Sequence, residues 1–265
     1  MLDIWSAVHR IGGHDLWGEA GESDGFVQMT KGQPTSLRDS LCQTVDPATR
    51  FPQGVEASIN LDALRGATSL GGRLPELAES SILIATRDQL ATAVALIELD
   101  GIARRVTLYP LDVKPAHHPA VIVDAGIDAI VSDRQDLHGD LGVARRVSPD
   151  LRLVPTRHDR ARQRPTEWLL LTRGTTGAPK LLAHTLAGLA GAIATTKNVG
   201  TVWGTFDGKR RDGGLQIFFR SMLRRPIGTM PIAVLMLGAV ADRLLPGADG
   251  SAAVRGDAGA PASWR

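Results

Sequence analysis

The stretch that decides the fold of this chain is Trp168-Leu169-Leu170-Leu171-Thr172-Arg173-Gly174-Thr175-Thr176-Gly177-Ala178-Pro179-Lys180. Its first part is an apolar run typical of a buried strand, and its second part is rich in glycine and threonine. Two glycines three positions apart let backbone N–H groups converge on one anion, while threonine hydroxyls and the Lys180 ammonium add donors and positive charge. The stretch therefore predicts a strand that presents a phosphate-binding loop.

Two alternatives compete with this interpretation of the loop. The Walker phosphate loop is excluded, because it ends in Gly-Lys-Ser/Thr, whereas this loop ends in Pro179-Lys180-Leu181. A glycine-rich turn without a ligand stays open as an alternative, because such turns commonly follow strands.

The loop resembles the phosphate-binding signature of adenylate-forming enzymes, which include acyl-CoA synthetases, firefly luciferase and peptide-synthetase adenylation domains. That signature reads Thr-Ser-Gly-Thr-Thr-Gly-x-Pro-Lys, and this chain departs from it at Arg173, which stands where the family has serine. The Pro-Lys-x-x-x-His-Thr arrangement that runs from Pro179 to Thr185 resembles the acyl-CoA synthetase branch. The similarity extends over roughly residues 60 to 223.

This resemblance implies a function and a set of site residues. It implies an AMP-binding protein that activates a small-molecule carboxylic acid with ATP, giving an acyl-adenylate and then an acyl-CoA. Lys180 is the candidate catalytic residue, and the residues implied to hold the β- and γ-phosphates are Thr172, Gly174, Thr175, Thr176, Gly177 and Lys180. Mg²⁺ is expected with ATP, coenzyme A is a candidate acceptor, and no residue is assigned to the metal.

The resemblance also predicts that the 265-residue chain is an N-terminal fragment, truncated and inactive alone. Adenylate-forming enzymes carry three further parts after the loop: a Tyr-Gly-x-Thr-Glu segment for Mg²⁺, a Tyr-x-x-Gly-Asp segment for ribose, and a lysine in a small C-terminal domain. Here the single tyrosine is Tyr109, the last glutamate is Glu167 and the last lysine is Lys209. The alternative is a non-catalytic fragment that binds nucleotide or another protein.

Composition limits the partners. Lys and Arg number 30 against 28 Asp and Glu, a net charge of +2 that argues against nucleic acid. The apolar segment 226–240 is shorter than the roughly 20 residues of a membrane-spanning helix and contains glycine and proline, so no membrane span is expected. A cytoplasmic protein is expected, in which the single cysteine, Cys42, is a buried side chain.

Alternating apolar runs and helical periodicities predict an α/β fold, with a mostly parallel sheet and helices on both faces. Expected strands lie at 81–86, 106–109, 129–132 and 151–154. Expected helices lie at 37–45, 61–70, 88–99 and 119–125, the third of them capped by Asp88. The resemblance implies that this is a partial N-terminal domain of an adenylate-forming enzyme.

Three regions are expected along the chain. Residues 1–36 are a loosely ordered extension, 37–223 are a partial AMP-binding domain, and 224–265 are an unrelated low-complexity tail of disordered composition. An out-of-frame extension of a truncated gene would give such a tail.

Two motifs outside the loop are assigned no chemistry. The Gly-x-Ser-x-Gly pattern at 21–25 lacks the buried strand and the following helix of a hydrolase elbow, so it is interpreted as a chance match. His117 and His118 have no neighbouring cysteine or carboxylate cluster, so we expect exposed or capping side chains rather than metal ligands.

Overall fold

A computed structural model of the chain describes residues 36–42, 51–54, 57–137, 141–156, 164–172, 179–190, 201–204, 212–223, 233–235 and 253–255. The predicted extension at 1–36, except for Ser36, and the Gly-x-Ser-x-Gly pattern lie outside the described residues.

The described strands are β1 (Phe51–Gln53), β2 (Ala67–Thr68), β3 (Ser81–Ile84), β4 (Arg105–Leu108), β5 (Ala129–Val131), β6 (Arg145–Val147), β7 (Val154–Pro155), β8 (Glu167–Leu171), β9 (Leu181–Thr185), β10 (Thr201–Gly204), β11 (Ala233–Leu235) and β12 (Ala253–Arg255). The described helices are α1 (Leu37–Cys42), α2 (Leu74–Leu77), α3 (Gln89–Leu99), α4 (His118–Ala125), α5 (Leu186–Ala190) and α6 (Asp212–Leu223). Short 3₁₀ turns occupy Ala63–Arg65, Pro115–His117 and Gln135–Leu137.

The main sheet has six strands in the order β6-β5-β3-β4-β8-β9. All neighbouring pairs are parallel except β8 and β9, which are antiparallel. The predicted mostly parallel α/β sheet is therefore confirmed.

Helix α3 connects the parallel strands β3 and β4, as its sequence predicts. Its N-cap is Asp88, whose Oδ1 accepts hydrogen bonds from the backbone N–H groups of Leu90 at 2.6 Å and Ala91 at 3.4 Å. These bonds satisfy N–H groups that have no partner within the helix, so the cap fixes where the helix begins.

The core lies on both faces of the main sheet. Because side chains alternate along a strand, Ile82 and Ile84 of β3 pack on the face that also buries α3, while Leu83 packs on the face covered by α4. The face of α3 includes Trp168 of β8. The predicted helices on both faces are thus confirmed.

Two smaller sheets accompany the main one. Strands β1, β11, β10 and β12 pair in that order, with β11 parallel to both neighbours and β12 antiparallel to β10. Strands β2 and β7 form an antiparallel pair. The other residues of 224–265 lie outside the described residues, and the expected domain division at residue 223 stays a prediction.

The predicted helix at 61–70 is wrong. The segment contains the 3₁₀ turn Ala63–Arg65 followed by the strand β2. The Thr68 hydroxyl donates to the buried carboxylate of Glu98 on α3, and the Ser69 N–H donates to the same carboxylate at 2.8 Å. These two bonds hold the backbone extended, and the partner lies 30 positions away, beyond local sequence patterns.

Two further predictions need correction. The strand expected at 151–154 is not a main-sheet strand: the short β7 pairs with β2, and the outer parallel strand is β6. The side chain of Cys42 is exposed, not buried, because the core-facing positions of α1 are taken by Leu37 and Leu41. Residues 43–45 of the predicted helix lie outside the described residues.

A buried carboxylate ties three elements together. Asp100, at the C-cap of α3, is 2% exposed and accepts a hydrogen bond from Leu37 N at 2.7 Å and another from Trp168 Nε1 at 3.1 Å. It therefore joins the start of α1, the end of α3 and the start of β8. Burial raises the pKa of Asp100 to about 7, although the donated hydrogen bonds lower it.

We predict that the Asp100→Asn variant loses about 1–3 kcal/mol of stability, because an amide NH₂ would face one of two N–H donors. The pKa of Asp100 is higher in the folded protein than in the unfolded chain, so the folded protein binds the proton more tightly. The free energy of unfolding of the wild-type protein should therefore rise as the pH falls from 8 to 6. Asp100→Asn removes that contribution. Urea unfolding of both proteins across this pH range measures the two effects.

The matched control is Asp124→Asn, which changes an exposed carboxylate on α4. It should keep the stability and the pH dependence of the wild type. Identical pH slopes for wild type and Asp100→Asn would contradict the assignment of the titrating group.

Candidate functional site

The predicted phosphate loop connects the two strands of a β-hairpin. Strand β8 pairs in parallel with β4 and antiparallel with β9, and Leu171 lies opposite Leu181 at the end of the hairpin ladder. The connection therefore leaves the carboxyl end of a parallel strand. In open α/β sheets this edge is where ligands bind.

The two ends of the loop are fastened to each other. Thr172 N donates to the carbonyl of Lys180 at 2.9 Å, and Lys180 N lies 3.3 Å from the Thr172 hydroxyl oxygen, which accepts its hydrogen bond. These bonds bring the two ends of the loop, Thr172 and Lys180, together. The side chain of Lys180 is exposed at this closure, so its ammonium group is available to an anion.

Among the predicted site residues, the structure brings Thr172 and Lys180 together. Four others lie outside the described residues, and their assignment to phosphate stays a prediction: Gly174, Thr175, Thr176 and Gly177. The departure from the family signature, Arg173, also lies outside the described residues.

A second feature of the carboxyl edge was not found from the sequence. The carboxylate of Asp133, just after β5, accepts hydrogen bonds from the N–H groups of Arg87 at 2.6 Å and Asp88 at 3.2 Å, just after β3. Strands β3 and β5 are neighbours in the sheet but not in sequence, so no local pattern identifies this pair. The two bonds form a brace that joins the ends of β3 and β5. From β3 the chain runs to β4 on one side of β3, and from β4 it returns to β5 on the other side.

A cleft of about 520 Å³ opens beside this brace, with Asp88, Asp133, Asp150 and Arg152 among its lining residues. It lies at the β3, β5 and β6 ends of the sheet, and β4 separates it from the hairpin of β8 and β9. Three carboxylates against one guanidinium repel a polyphosphate. The hairpin loop is therefore the better candidate for phosphate binding.

His118 does not lie where the sequence predicted. It is 4% exposed and packs against Tyr109, with the ring centroids 5.5 Å apart. Its position as the first residue of α4 turns it toward the sheet, whereas His117 is half-buried at the N-cap. In the part of the chain that the structure describes, no three His, Cys, Asp or Glu side chains are grouped to hold a metal ion.

The chain has the fold of the N-terminal domain of adenylate-forming enzymes, as comparison with solved structures shows. O-Succinylbenzoate coenzyme A synthetase (MenE) from Bacillus subtilis in complex with AMP superimposes with a TM-score of 0.56 and 14% identity, over 80% of this chain and 58% of that one. The N-terminal domain of FACL13 from Mycobacterium tuberculosis gives 0.56 and 12%, over 78% and 58%. A malonyl-CoA ligase bound to methylmalonyl-CoA and AMP gives 0.55 and 20%, over 77% and 45%.

The chain spans a little over half of the B. subtilis synthetase. No family model and no curated protein sequence matches it. Within the described residues, no helix is both long enough and apolar enough to cross a membrane.

We predict that Thr172→Val lowers the free energy of unfolding by about 0.5–1.5 kcal/mol, because valine keeps the shape of threonine but cannot accept from Lys180 N. Thr172→Ser keeps the hydroxyl and serves as the matched control. Chemical denaturation of the three proteins measures the difference. Equal loss in the valine and serine variants would show that the hydroxyl does not fasten the loop.

Proposed function

We propose that this chain is an AMP-dependent synthetase-like protein, derived from an enzyme that activates a carboxylic acid with ATP and passes the acyl group to a thiol such as coenzyme A. Residues 37–223 are then its partial AMP-binding domain, and the cytoplasm is its compartment. The solved structures with the same fold include acyl-CoA synthetases, which supports the class of reaction.

The observation that carries the proposal is the hairpin closed by Thr172 and Lys180 at the carboxyl end of β8. The closure coincides with the two ends of the phosphate-loop signature, so the motif occupies the whole connection between the strands. A turn without a ligand would need neither an exposed lysine at its closure nor a run of threonines and glycines inside it.

Mg·ATP suits this site chemically. Lys180 contributes a mobile positive charge for the phosphates, and its exposed side chain does not have to leave a buried partner. The B. subtilis synthetase with this fold has also been solved in complex with ATP and a magnesium ion. We propose Thr172, Gly174, Thr175, Thr176, Gly177 and Lys180 as the residues that hold the β- and γ-phosphates.

The proposed ancestral reaction has two displacements. A carboxylate oxygen attacks the α-phosphorus of ATP and pyrophosphate leaves, which forms the acyl-adenylate; a thiolate then attacks the acyl carbon and AMP leaves. Lys180 and the loop would neutralise the charge of the departing pyrophosphate and hold it in position. The carboxylic acid would be small, and no described residue selects which one.

We further propose that the 265-residue chain does not complete this reaction alone. Residues 181–265 contain no glutamate and no tyrosine, so these residues do not supply the family's Mg²⁺-binding and ribose-binding segments. Residues 210–265 contain no lysine that could serve as the family's C-terminal lysine. Groups that act on developing charge are each worth orders of magnitude in rate, and several are missing together.

A non-catalytic role is the second candidate function. The same hairpin could bind a nucleotide without acting on it, and the absence of the later segments favours this role for the isolated chain. Binding and turnover therefore need separate tests.

We predict that Lys180→Ala weakens Mg·ATP binding roughly ten- to a hundredfold, because a charge-assisted hydrogen bond is worth about 1.5–3 kcal/mol. The fold should be unaffected, since Lys180 contributes to the hairpin through its backbone and its side chain is exposed. Isothermal titration calorimetry measures the affinities. Lys114→Ala, at an exposed lysine before α4, is the control and should bind like the wild type.

Equal affinities for wild type and Lys180→Ala would remove Lys180 from the site. No binding by the wild-type chain, which retains its fold, would remove the nucleotide site altogether.

For turnover, we predict no acid-dependent exchange of pyrophosphate into ATP above the level of the Lys180→Ala variant. The assay uses the purified chain, Mg·ATP, labelled pyrophosphate and a panel of small carboxylic acids. Exchange clearly above that control would show that the chain is a complete adenylating catalyst, and it would leave the phosphate-loop assignment intact.

A further inference from the structure

Buried polar atoms without a partner gather under the start of α4. Within the described residues, such atoms include Tyr109 Oη, His118 Nε2 and Arg134 Nη1. Tyr109 directly follows β4, Arg134 follows β5, and His118 is the first residue of α4. Their residues are 1%, 4% and 4% exposed. An unpaired polar atom is costly in such surroundings, so the cluster needs a partner.

The three side chains are in one cluster. The Tyr109 and His118 rings are in edge contact, with centroids 5.5 Å apart, and the Arg134 guanidinium carbon lies 5.8 Å from the centroid of the Tyr109 ring. The proposed function assigns no role to Tyr109, His118 or Arg134.

The hydrogen-bonding character of each atom is fixed by the bonds that its side chain already makes. His118 bonds the backbone of Val113, so with Nε2 unpartnered the donor is Nδ1–H, and Nε2 of the neutral ring presents a lone pair. Arg134 donates from Nε and Nη2 to Asp136 at 3.1 and 2.5 Å, which leaves Nη1–H as a donor. The Tyr109 hydroxyl can donate or accept. The cluster therefore offers one acceptor, one donor and one group that is either.

One water molecule matches this set. It can donate to His118 Nε2, accept from Arg134 Nη1 and bond the Tyr109 hydroxyl, which gives the roughly three hydrogen bonds typical of a buried water. A larger anion would need more room than one water molecule and would place a charge next to the Arg134–Asp136 ion pair.

The arrangement requires a neutral His118. A second proton on the ring would turn Nε2 into a donor, so it could no longer accept from the water, which would then have to accept from His118 and Arg134 together. It would also put a positive charge beside Arg134, near His117 and at the N-terminus of α4, where the helix dipole is positive; Asp136, which is paired with Arg134, offsets part of this charge. Burial lowers the pKa of His118, and Arg134 lowers it further.

We propose that Tyr109, His118 and Arg134 form an internal water-binding site that holds the first turn of α4 against the sheet only while His118 is neutral. The site acts as an acid-sensitive latch on the connection 109–117, which lies at the same edge of the sheet as the hairpin loop. This proposal does not depend on the proposed function.

The latch predicts how the opening of α4 depends on pH. The closed state disfavours the proton and the open state accepts it at an ordinary pKa, so the closed state is stable above about pH 6.5 and is lost as the pH falls. Below that pH, the population of open α4 should rise roughly tenfold for each pH unit until the closed form itself takes up the proton.

The test is amide hydrogen exchange of α4 in the full 265-residue chain between pH 5 and 7.5, corrected for intrinsic exchange rates. The key variant is His118→Gln, whose amide offers a donor and an acceptor spaced like the two ring nitrogens but does not titrate. We expect the steep acid dependence in wild type and in the matched control His117→Gln, and its loss in His118→Gln. Equal slopes in wild type and His118→Gln would overturn the latch.

Two further observations test the water site itself. Nitrogen-15 spectra of the histidines should show His118 as the neutral Nδ1–H form at pH 7.5, and a crystal structure at that pH should show one water bonded to the three atoms. A protein group bonded to Nε2, including one from residues 138–140, or an Nε2–H form, would contradict the proposal.

Discussion

The parallel pairing of β8 with β4 is the constraint on which the rest of the site depends. Residues 105–108 of β4 pair with residues 167–170 of β8, so both strands end at the same edge of the sheet. The segment that follows β8 must then emerge at the carboxyl edge, next to the connections that follow β3, β4 and β5. The antiparallel return of β9 brings the two ends of this segment, Thr172 and Lys180, together.

Buried polar groups hold β8 in this pairing. The Trp168 indole donates to Asp100, and the Thr166 hydroxyl accepts from Gly101 N and donates to Ala103 O at 2.9 Å each. The start of β8 is therefore bonded to the end of α3 and to the turn before β4. Removing a single partner would leave the others unpaired in a low-dielectric interior, so this network specifies the position of β8 more than it adds stability.

The sequence predicts the parts of this fold whose causes are local. The apolar spacing of α3 and its N-cap Asp88 predict the helix between β3 and β4. The contiguous glycine- and threonine-rich motif predicts the loop between β8 and β9. The parts it does not predict depend on distant partners. Thr68 is held extended by Glu98, Asp133 braces a strand from another part of the chain, and His118 is buried by Tyr109 and Arg134. Of the candidate site, Thr172 and Lys180 could be located in the structure, while the other loop residues rest on the motif.

We propose that nucleotide binds at the hairpin loop and not at the acidic cleft beside Asp133. Amide chemical shifts of the nitrogen-15-labelled chain, recorded during a titration with Mg·ATP, test this most directly. We expect the Thr172 and Lys180 amides, and the loop between them, to shift together with one saturation curve, while the amides of Arg87 and Asp88 stay unchanged. Shifts confined to Arg87, Asp88 and Asp133, or no shift at the hairpin at saturating nucleotide, would contradict it.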